Sequence, residues 1–216
     1  MEAVHYLESQ GAEMLVIACN TATALALDRI TAGAHVPVVG VVEPGAEAAA
    51  AATRNTKVVV IGTEATVASH AYRKALEARG LHAHEKACPL LVPLVEEGWV
   101  EHAVTEQVAR IYLAEAFAGD FRDADVLVLG CTHYPLLKPL LLRVAPPHVS
   151  IVDSAESTAH GVAARLLAVV PSVAGGERRG PRLKFFATDS VEKFRRLGAR
   201  FLEHPIDDVK HVDLKE

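Results

Sequence analysis

Short apolar runs alternate with stretches of helical periodicity along the whole chain. Six runs rich in valine, isoleucine and leucine predict strands at Met14–Ala18, Val36–Val42, Lys57–Gly62, Asp125–Gly130, His148–Val152 and Leu183–Thr188. Such runs are typical of strands buried on both faces of a parallel sheet. Helices are predicted between them at Thr21–Thr31, Gly45–Ala52, Glu64–Arg79, Glu101–Phe117, Tyr134–Val144 and Ala155–Val169. The alternation predicts an α/β fold with right-handed crossovers.

A weak internal repeat divides the chain in two. The segment Met14–Thr21 reads MLVIACNT and Val126–His133 reads VLVLGCTH, so an apolar strand leads into a cysteine and polar residues twice. Two such units predict two similar α/β lobes. The first lobe is predicted to comprise residues 1–42 and 153–216, and the second to comprise residues 43–152.

The composition excludes several classes of protein. The chain has 216 residues, half of them hydrophobic, and a formal net charge of −5, so no basic surface for nucleic acid or anionic membranes is expected. No apolar run reaches the roughly 18–20 residues of a membrane helix, and the N-terminus lacks the pattern of a signal peptide. These features predict a cytoplasmic protein, and its three cysteines are expected to be reduced thiols.

Cys19 and Cys131 each follow a predicted strand and precede a predicted helix. Ligands of open α/β sheets bind outside the carboxyl ends of the strands. A helix N-terminus lowers the pKa of a thiol there, and its free N–H groups can hold a carboxylate. The polar residues that follow the two cysteines suit capping, carboxylate binding and proton transfer; they are Asn20, Thr21, Thr132 and His133.

Several interpretations of the cysteines stay open at this point. Either could be a small core residue, which is how we interpret Cys88 beside Pro89. A zinc site would use the thiols and His133, but no C-x-x-C pair is present. A Cys–His hydrolase would need His133 to face Cys131, which is unusual two residues apart at a helix start. Two opposed thiols suit the inversion of an α-carbon, where one removes a proton and the other delivers one.

The motifs resemble those of the glutamate racemases in the aspartate/glutamate racemase superfamily. The pair Ala18–Ala22 (ACNTA) and Gly130–Pro135 (GCTHYP), in this order and at this distance, is specific. Further matching segments are Val41–Gly45, Gly62–Thr66, Ala87–Leu90, Glu96–Gly98, Asp153–Ala155 and a closing strand near Val209–Leu214. The resemblance therefore covers nearly the whole chain.

The resemblance implies a function and a set of site residues. It implies racemisation of L-glutamate to D-glutamate for bacterial peptidoglycan, in the cleft between two pseudo-symmetric lobes with helices on both faces of their sheets. No pyridoxal phosphate or metal is implied, and a homodimer is expected. Cys19 and Cys131 are the implied acid–base residues, with His133 supporting Cys131. The implied substrate contacts are Asn20, Thr21, Thr132, His133, Thr63 and Thr66, and Glu97 is expected to assist from the second lobe.

One departure separates the chain from this pattern. Family members begin with a strand that carries an Asp-Ser-Gly motif, followed by a Tyr-Gly motif, and neither precedes Cys19 here. We therefore expect a chain that lacks its N-terminal segment and is poorly soluble or nearly inactive. The alternatives are a sister aspartate- or hydantoin-type racemase, a decarboxylase of the same superfamily, and a truncated non-catalytic binding protein.

Overall fold

The computed structural model describes residues 1–169 and 183–214, and it confirms the predicted α/β fold. The strands are β1 (Leu15–Ile17), β2 (Val38–Gly40), β3 (Lys57–Gly62), β4 (His82–Ala87), β5 (Val126–Gly130), β6 (Ser150–Asp153), β7 (Phe185–Ala187) and β8 (Val209–His211). The helices are α1 (Glu2–Ser9), α2 (Asn20–Gly33), α3 (Val42–Ala52), α4 (Glu64–Ser69), α5 (Ala71–Glu77), α6 (Leu91–Glu96), α7 (Ala103–Ala116), α8 (Lys138–Val144), α9 (Ser154–Val169) and α10 (Val191–Leu202).

A four-stranded parallel sheet with the order β4-β3-β5-β6 forms the centre of the molecule. Its middle strands β3 and β5 are buried on both faces because their side chains are almost all apolar. One face packs against α6, α7 and α8, and the other packs against α3 and α5. This double cover makes the sheet a rigid base for residues at its carboxyl edge.

Two smaller parallel pairs complete the described structure. Strand β1 pairs with β2, and β7 pairs with β8. Strand β1 is less well covered than the central sheet, since Val16 is 42 % exposed. Helix α1 meets β7 through an edge-to-face contact of Tyr6 with Phe186, whose ring centroids lie 5.3 Å apart. Helix α9 packs on α3, β5 and β6, and the division into two lobes stays a prediction.

The structure differs from the predicted elements in two helices. The predicted helix Glu64–Arg79 is broken at His70, which has a left-handed backbone with φ of 56°. The His70 Nδ1 atom lies 2.8 Å from the buried carboxylate of Glu85, which holds the break in place. The predicted helix Tyr134–Val144 begins with a 3₁₀ segment, Tyr134–Leu137, before α8.

Strand β4 and helices α6 and α10 are not among the predicted elements. Strand β4 is an edge strand in which polar residues dominate, so it lacks the apolar run on which the prediction relied. In the described part of the chain, no helix is both long and apolar enough to cross a membrane.

Candidate active site

The carboxyl edge of the central sheet brings together two predicted site segments. Strands β3 and β5 pair in register so that Gly62 lies beside Gly130. Thr63 and Cys131 follow these glycines directly and therefore leave the sheet side by side. A side chain at Gly130 would place a Cβ 2.9 Å from the Ile61 carbonyl oxygen and 3.1 Å from the Tyr72 ring. Glycine is thus required for this close approach of strand and tyrosine.

Cys19 lies at the N-terminus of α2, as predicted. It is the N-cap residue of a 14-residue helix, and its Sγ accepts a hydrogen bond from the Ala22 N–H at 3.5 Å. The residue is exposed, and β1 ends two positions before it.

Three threonine hydroxyls join the Cys19 segment to the central sheet. The Thr21 Oγ1 lies 2.9 Å from the Thr63 Oγ1 and 3.0 Å from the Thr66 Oγ1, and the latter two are 2.9 Å apart. Thr63 caps α4 through the Thr66 N–H, which fixes both hydroxyls relative to β3. Since Thr63 follows Gly62 and Cys131 follows its paired Gly130, this cluster bonds the segment after Cys19 to the sheet edge from which Cys131 leaves.

Cys131 has an environment opposite to that of Cys19. It is only 4 % exposed, and burial raises the pKa of its thiol to about 11. The backbone N–H groups of His133 and Tyr134 lower that pKa, while the nearby Cys19 thiol raises it. The expected lowering of the pKa by a helix start is therefore wrong for Cys131, because desolvation outweighs the N–H groups.

His133 faces Cys131, contrary to the expectation for residues two apart. The chain turns at 131–133 before the 3₁₀ segment, and the Cys131 Sγ lies 3.9 Å from the His133 Nδ1. The other ring nitrogen, Nε2, lies 3.3 Å from the Glu96 Oε1, and the Glu96 Oε2 accepts from the Lys193 Nζ at 2.9 Å. The hydrogen bond with Lys193, and to a smaller extent the contact with His133, holds the pKa of Glu96 below its usual value.

The structure brings Glu96 and not Glu97 to His133. Glu97 is the C-cap residue that follows α6, and it is exposed beside a surface groove of about 290 Å³ that also contains Trp99. The two neighbouring carboxylates cannot be distinguished by sequence, because the end of a short helix decides which one faces the sheet. Thr132 lies between Cys131 and His133 and is half-buried.

Asn20 is held by protein groups from the central half of the chain. It is 2 % exposed, its Oδ1 accepts from the Tyr72 hydroxyl at 2.6 Å, and its Nδ2 donates to the Ser154 Oγ at 3.4 Å. Ser154 in turn donates to the Leu129 carbonyl oxygen at 2.9 Å. Burial strongly raises the pKa of Tyr72, so its hydroxyl remains a donor.

Sequence reasoning missed the roles of Tyr72, Ser154 and Lys193. Ser154 carried a signal, because it directly follows β6 as Thr63 follows β3. Tyr72 and Lys193 carried none, since each lies inside a helix and reaches the site through tertiary packing.

Cys88 also follows a strand at this edge but is completely buried. Its Sγ donates to the Lys86 carbonyl oxygen at 3.7 Å, and burial raises the pKa of its thiol to about 12. These features agree with a core residue. Within residues 1–169 and 183–214, no group of three or more His, Cys, Asp or Glu side chains is arranged to hold a metal ion.

Comparison with known proteins relates the chain to one family. Residues 1–162 match the family model described as Asp/Glu/Hydantoin racemase. A glutamate racemase of Koribacter versatilis is 59 % identical over 98 % of this chain and 79 % of its own length. The crystal structure of glutamate racemase isoform RacE1 from Bacillus anthracis superposes with a TM-score of 0.88 at 36 % identity, covering 99 % of this chain and 78 % of that one.

A third relative has a ligand in its structure. Glutamate racemase from Francisella tularensis, in complex with D-glutamate, gives a TM-score of 0.86 at 28 % identity, over 99 % of this chain and 78 % of that one. The family model and the sequence relative each cover well over half of the chain. The protein is therefore a member of the Asp/Glu/hydantoin racemase family.

Proposed function

We propose that this chain interconverts L- and D-glutamate by proton transfer between Cys19 and Cys131. The observation that carries the proposal is the threonine cluster Thr21, Thr63 and Thr66, which joins the segment of one cysteine to the sheet edge beside the other. The likeness to glutamate racemases, one of them in complex with D-glutamate, supports glutamate as the substrate.

The reaction needs one base and one acid on opposite faces of the α-carbon. A thiolate takes the α-proton and becomes a thiol, and the electron pair stays on the carbon as a carbanion conjugated with the carboxylate. The opposing thiol then gives its proton to the other face and becomes a thiolate. The protein ends with one thiol and one thiolate, as it began, and their roles are exchanged.

The two thiols are prepared for this exchange in different ways. In the free protein Cys131 is protonated at neutral pH because burial raises its pKa to about 11. His133, with Glu96 behind it, lies where an acceptor for the Cys131 proton is needed. Cys19 has the N-terminus of α2 instead, where the Ala22 N–H already points at its sulfur.

Substrate groups have candidate partners in the same place. The three threonine hydroxyls are each both donor and acceptor, and Thr21 and Thr63 are half-buried and remain accessible. We infer that they and Thr132 bind the polar groups of glutamate, with His133 bordering the same space. Asn20 then acts by holding the start of α2, since both ends of its amide are bonded to protein.

The proposal extends to the biological role. D-Glutamate is the product that bacterial peptidoglycan requires, and a cytoplasmic homodimer that needs no cofactor agrees with the resemblance to glutamate racemases. These statements rest on that resemblance and not on the geometry of the site.

The decisive experiment follows racemisation in deuterium oxide. The chain is incubated with L- or D-glutamate, and with aspartate for comparison, while circular dichroism follows inversion and NMR follows deuterium at the α-carbon. We expect glutamate to invert, but slowly, because neither the Asp-Ser-Gly nor the Tyr-Gly motif precedes Cys19. The product should contain deuterium, and the substrate recovered early should retain protium. Absence of turnover with glutamate would exclude the proposed activity, and equal deuterium in substrate and product would exclude two separate bases.

A matched control isolates the two site cysteines from the third. The variant Cys88→Ala removes a buried thiol whose sulfur donates to the Lys86 carbonyl oxygen and not to Cys131 or His133. We expect it to keep the isotopic pattern of the unmodified protein. A loss of inversion in this variant, with its melting temperature unchanged, would mean that the thiols have been wrongly assigned.

A further inference from the structure

Helix α10 makes three separate contacts with the Cys131 side of the site. The Lys193 Nζ donates to the Glu96 Oε2 at 2.9 Å. About two turns further along the helix, the Phe201 ring contacts the His133 ring edge to face, with centroids 5.7 Å apart. The Arg200 guanidinium lies over Gly98, where a Cβ would approach its Nη1 to 2.5 Å.

The spacing of these residues places them on one stripe of the helix. Positions 193, 200 and 201 are separated by seven and eight residues, which is two turns of an α-helix. The positive φ of 82° at Gly98 turns the chain after α6 and leaves room for the guanidinium. Helix α10 therefore contacts the C-terminal end of α6, where Glu96 is the last residue.

From this arrangement we propose that Lys193 is a positioning residue, which orients Glu96 so that the carboxylate holds His133 against Cys131. The inference deepens the proposed function and rests on it. The chain of contacts runs from the Lys193 Nζ to Glu96, from Glu96 to the His133 Nε2 at 3.3 Å, and from the His133 Nδ1 to the Cys131 Sγ at 3.9 Å.

Glu96 has two oxygens and a different partner on each. Without Lys193 the carboxylate could rotate, or turn both oxygens to solvent, since its side chain is 30 % exposed. The 3.3 Å contact with His133 is long for a hydrogen bond and so depends on this orientation. Lys193 also supports the ionised carboxylate, in agreement with the lowered pKa of Glu96.

A stabilising role alone would not explain the pair. The Lys193 side chain is 52 % exposed, and exposed ion pairs contribute little to the free energy of unfolding. The variant Lys193→Met should therefore fold normally, and any effect on turnover would report on the site. The variant Arg196→Met removes the same charge from the same helix, and Arg196 forms no ion pair among the described residues.

The test compares Lys193→Met, Lys193→Arg and Arg196→Met in the full chain with L- and D-glutamate. For Lys193→Met we expect kcat to fall by about 3- to 10-fold with KM nearly unchanged, since a misplaced supporting group lowers transition-state stabilisation more than binding. The acidic limb of the plot of kcat against pH should move to higher pH, because Glu96 loses the charge that keeps its pKa low. The charged groups that face Glu96 are His133, Lys193 and, over the neighbouring turn, Arg200. Lys193→Arg should retain most of the kcat of the unmodified chain. Arg196→Met should change neither kcat nor the pH profile.

A readout without substrate separates this inference from the proposed function. Labelling by iodoacetamide, measured at each cysteine by peptide mass spectrometry, should slow at Cys131 by about threefold in Lys193→Met, because the thiol loses a well-placed proton acceptor. Labelling of Cys19 should be unchanged and serves as the internal reference. Unchanged or faster labelling of Cys131, or an unaltered kcat and pH profile in an active protein, would overturn the role of Lys193. An inactive unmodified chain with the expected labelling would contradict only the proposed racemisation.

Discussion

The two cysteine segments share a sequence pattern and differ in almost every physical respect. Cys19 is exposed and caps a long helix beside a two-stranded sheet. Cys131 is buried at the end of a central strand and has His133 and Glu96 beside it. The proposed reaction treats the two faces of an α-carbon alike, yet the proposal gives it to two thiols in unlike surroundings. The difference teaches that a buried thiol needs a neighbouring acceptor, whereas an exposed one can rely on a helix N-terminus.

The strongest test of this comparison removes each thiol in turn. Cys19→Ser and Cys131→Ser should each lower kcat/KM by about 10³-fold or more, in the range of general acid–base contributions. The loss must be equal in both directions, because enantiomers have equal free energies in water. Exchange of the α-proton with solvent deuterium distinguishes the two thiols, since the thiol that remains in each variant can still remove the α-proton from its own face.

We expect each of these variants to exchange the α-proton of one enantiomer without inversion, and the two variants to prefer opposite enantiomers. NMR of the recovered glutamate measures this directly. Exchange of the same enantiomer by both variants would show that the thiols do not act on opposite faces. The variant Cys88→Ala is the control for loss of a thiol elsewhere.

A second test measures how differently the two thiols meet solvent. Brief labelling of the native chain with iodoacetamide should modify Cys19 at least about tenfold faster than Cys131, because access and thiolate content both govern the rate. Cys88 should react more slowly still, since it is completely buried. In urea the three rates should become similar, which controls for local sequence. Comparable native rates at Cys19 and Cys131 would mean that Cys131 is accessible in solution.

A third test concerns the hydrogen bond that positions the segment of the exposed cysteine, Cys19. Tyr72→Phe removes the hydroxyl that donates to the Asn20 Oδ1 at 2.6 Å and leaves a buried acceptor without that partner. We expect a loss of about 1–3 kcal/mol in the free energy of unfolding, as for a buried unsatisfied polar group. Because Asn20 follows Cys19, kcat should also fall, by roughly 3- to 10-fold for about 1 kcal/mol of lost transition-state stabilisation.

Tyr112→Phe provides the matched control for that change. The Tyr112 hydroxyl accepts from the Leu90 N–H at 3.3 Å on the surface of α7, away from the threonine cluster. This variant should keep both stability and kcat. A Tyr72→Phe protein that loses stability but keeps full kcat would show that Asn20 supports the fold and not the position of Cys19.

The sequence predicted the central features of this site for physical reasons that are local. Strands β3 and β5 are long apolar runs, so their ends could be located, and with them Thr63 and Cys131. Cys19 followed from the same pattern and from its capping position. Strand β4 could not be predicted this way, because the burial of Glu85 depends on His70 from another segment.

Contacts made across the fold account for the remaining differences. The helix break at His70, the choice of Glu96 over Glu97 and the placement of Lys193 each depend on residues distant in the chain. The pKa of Cys131 was expected in the wrong direction for the same reason. A strand end and a helix start are visible in sequence, but the depth of burial that dominates the pKa is set by tertiary packing.

The smallest expected effect concerns stability at alkaline pH. A thiol whose pKa is raised from 9.0 to about 11 keeps its proton in the native state while the unfolded chain loses it, so stability falls as pH rises through this window. The slope approaches about 1.4 kcal/mol per pH unit for one such group. Urea unfolding at several pH values should therefore show a shallower fall between about pH 9 and pH 11 for Cys131→Ala than for the unmodified chain. Parallel curves for Cys131→Ala and the unmodified chain would contradict the burial of the Cys131 thiol.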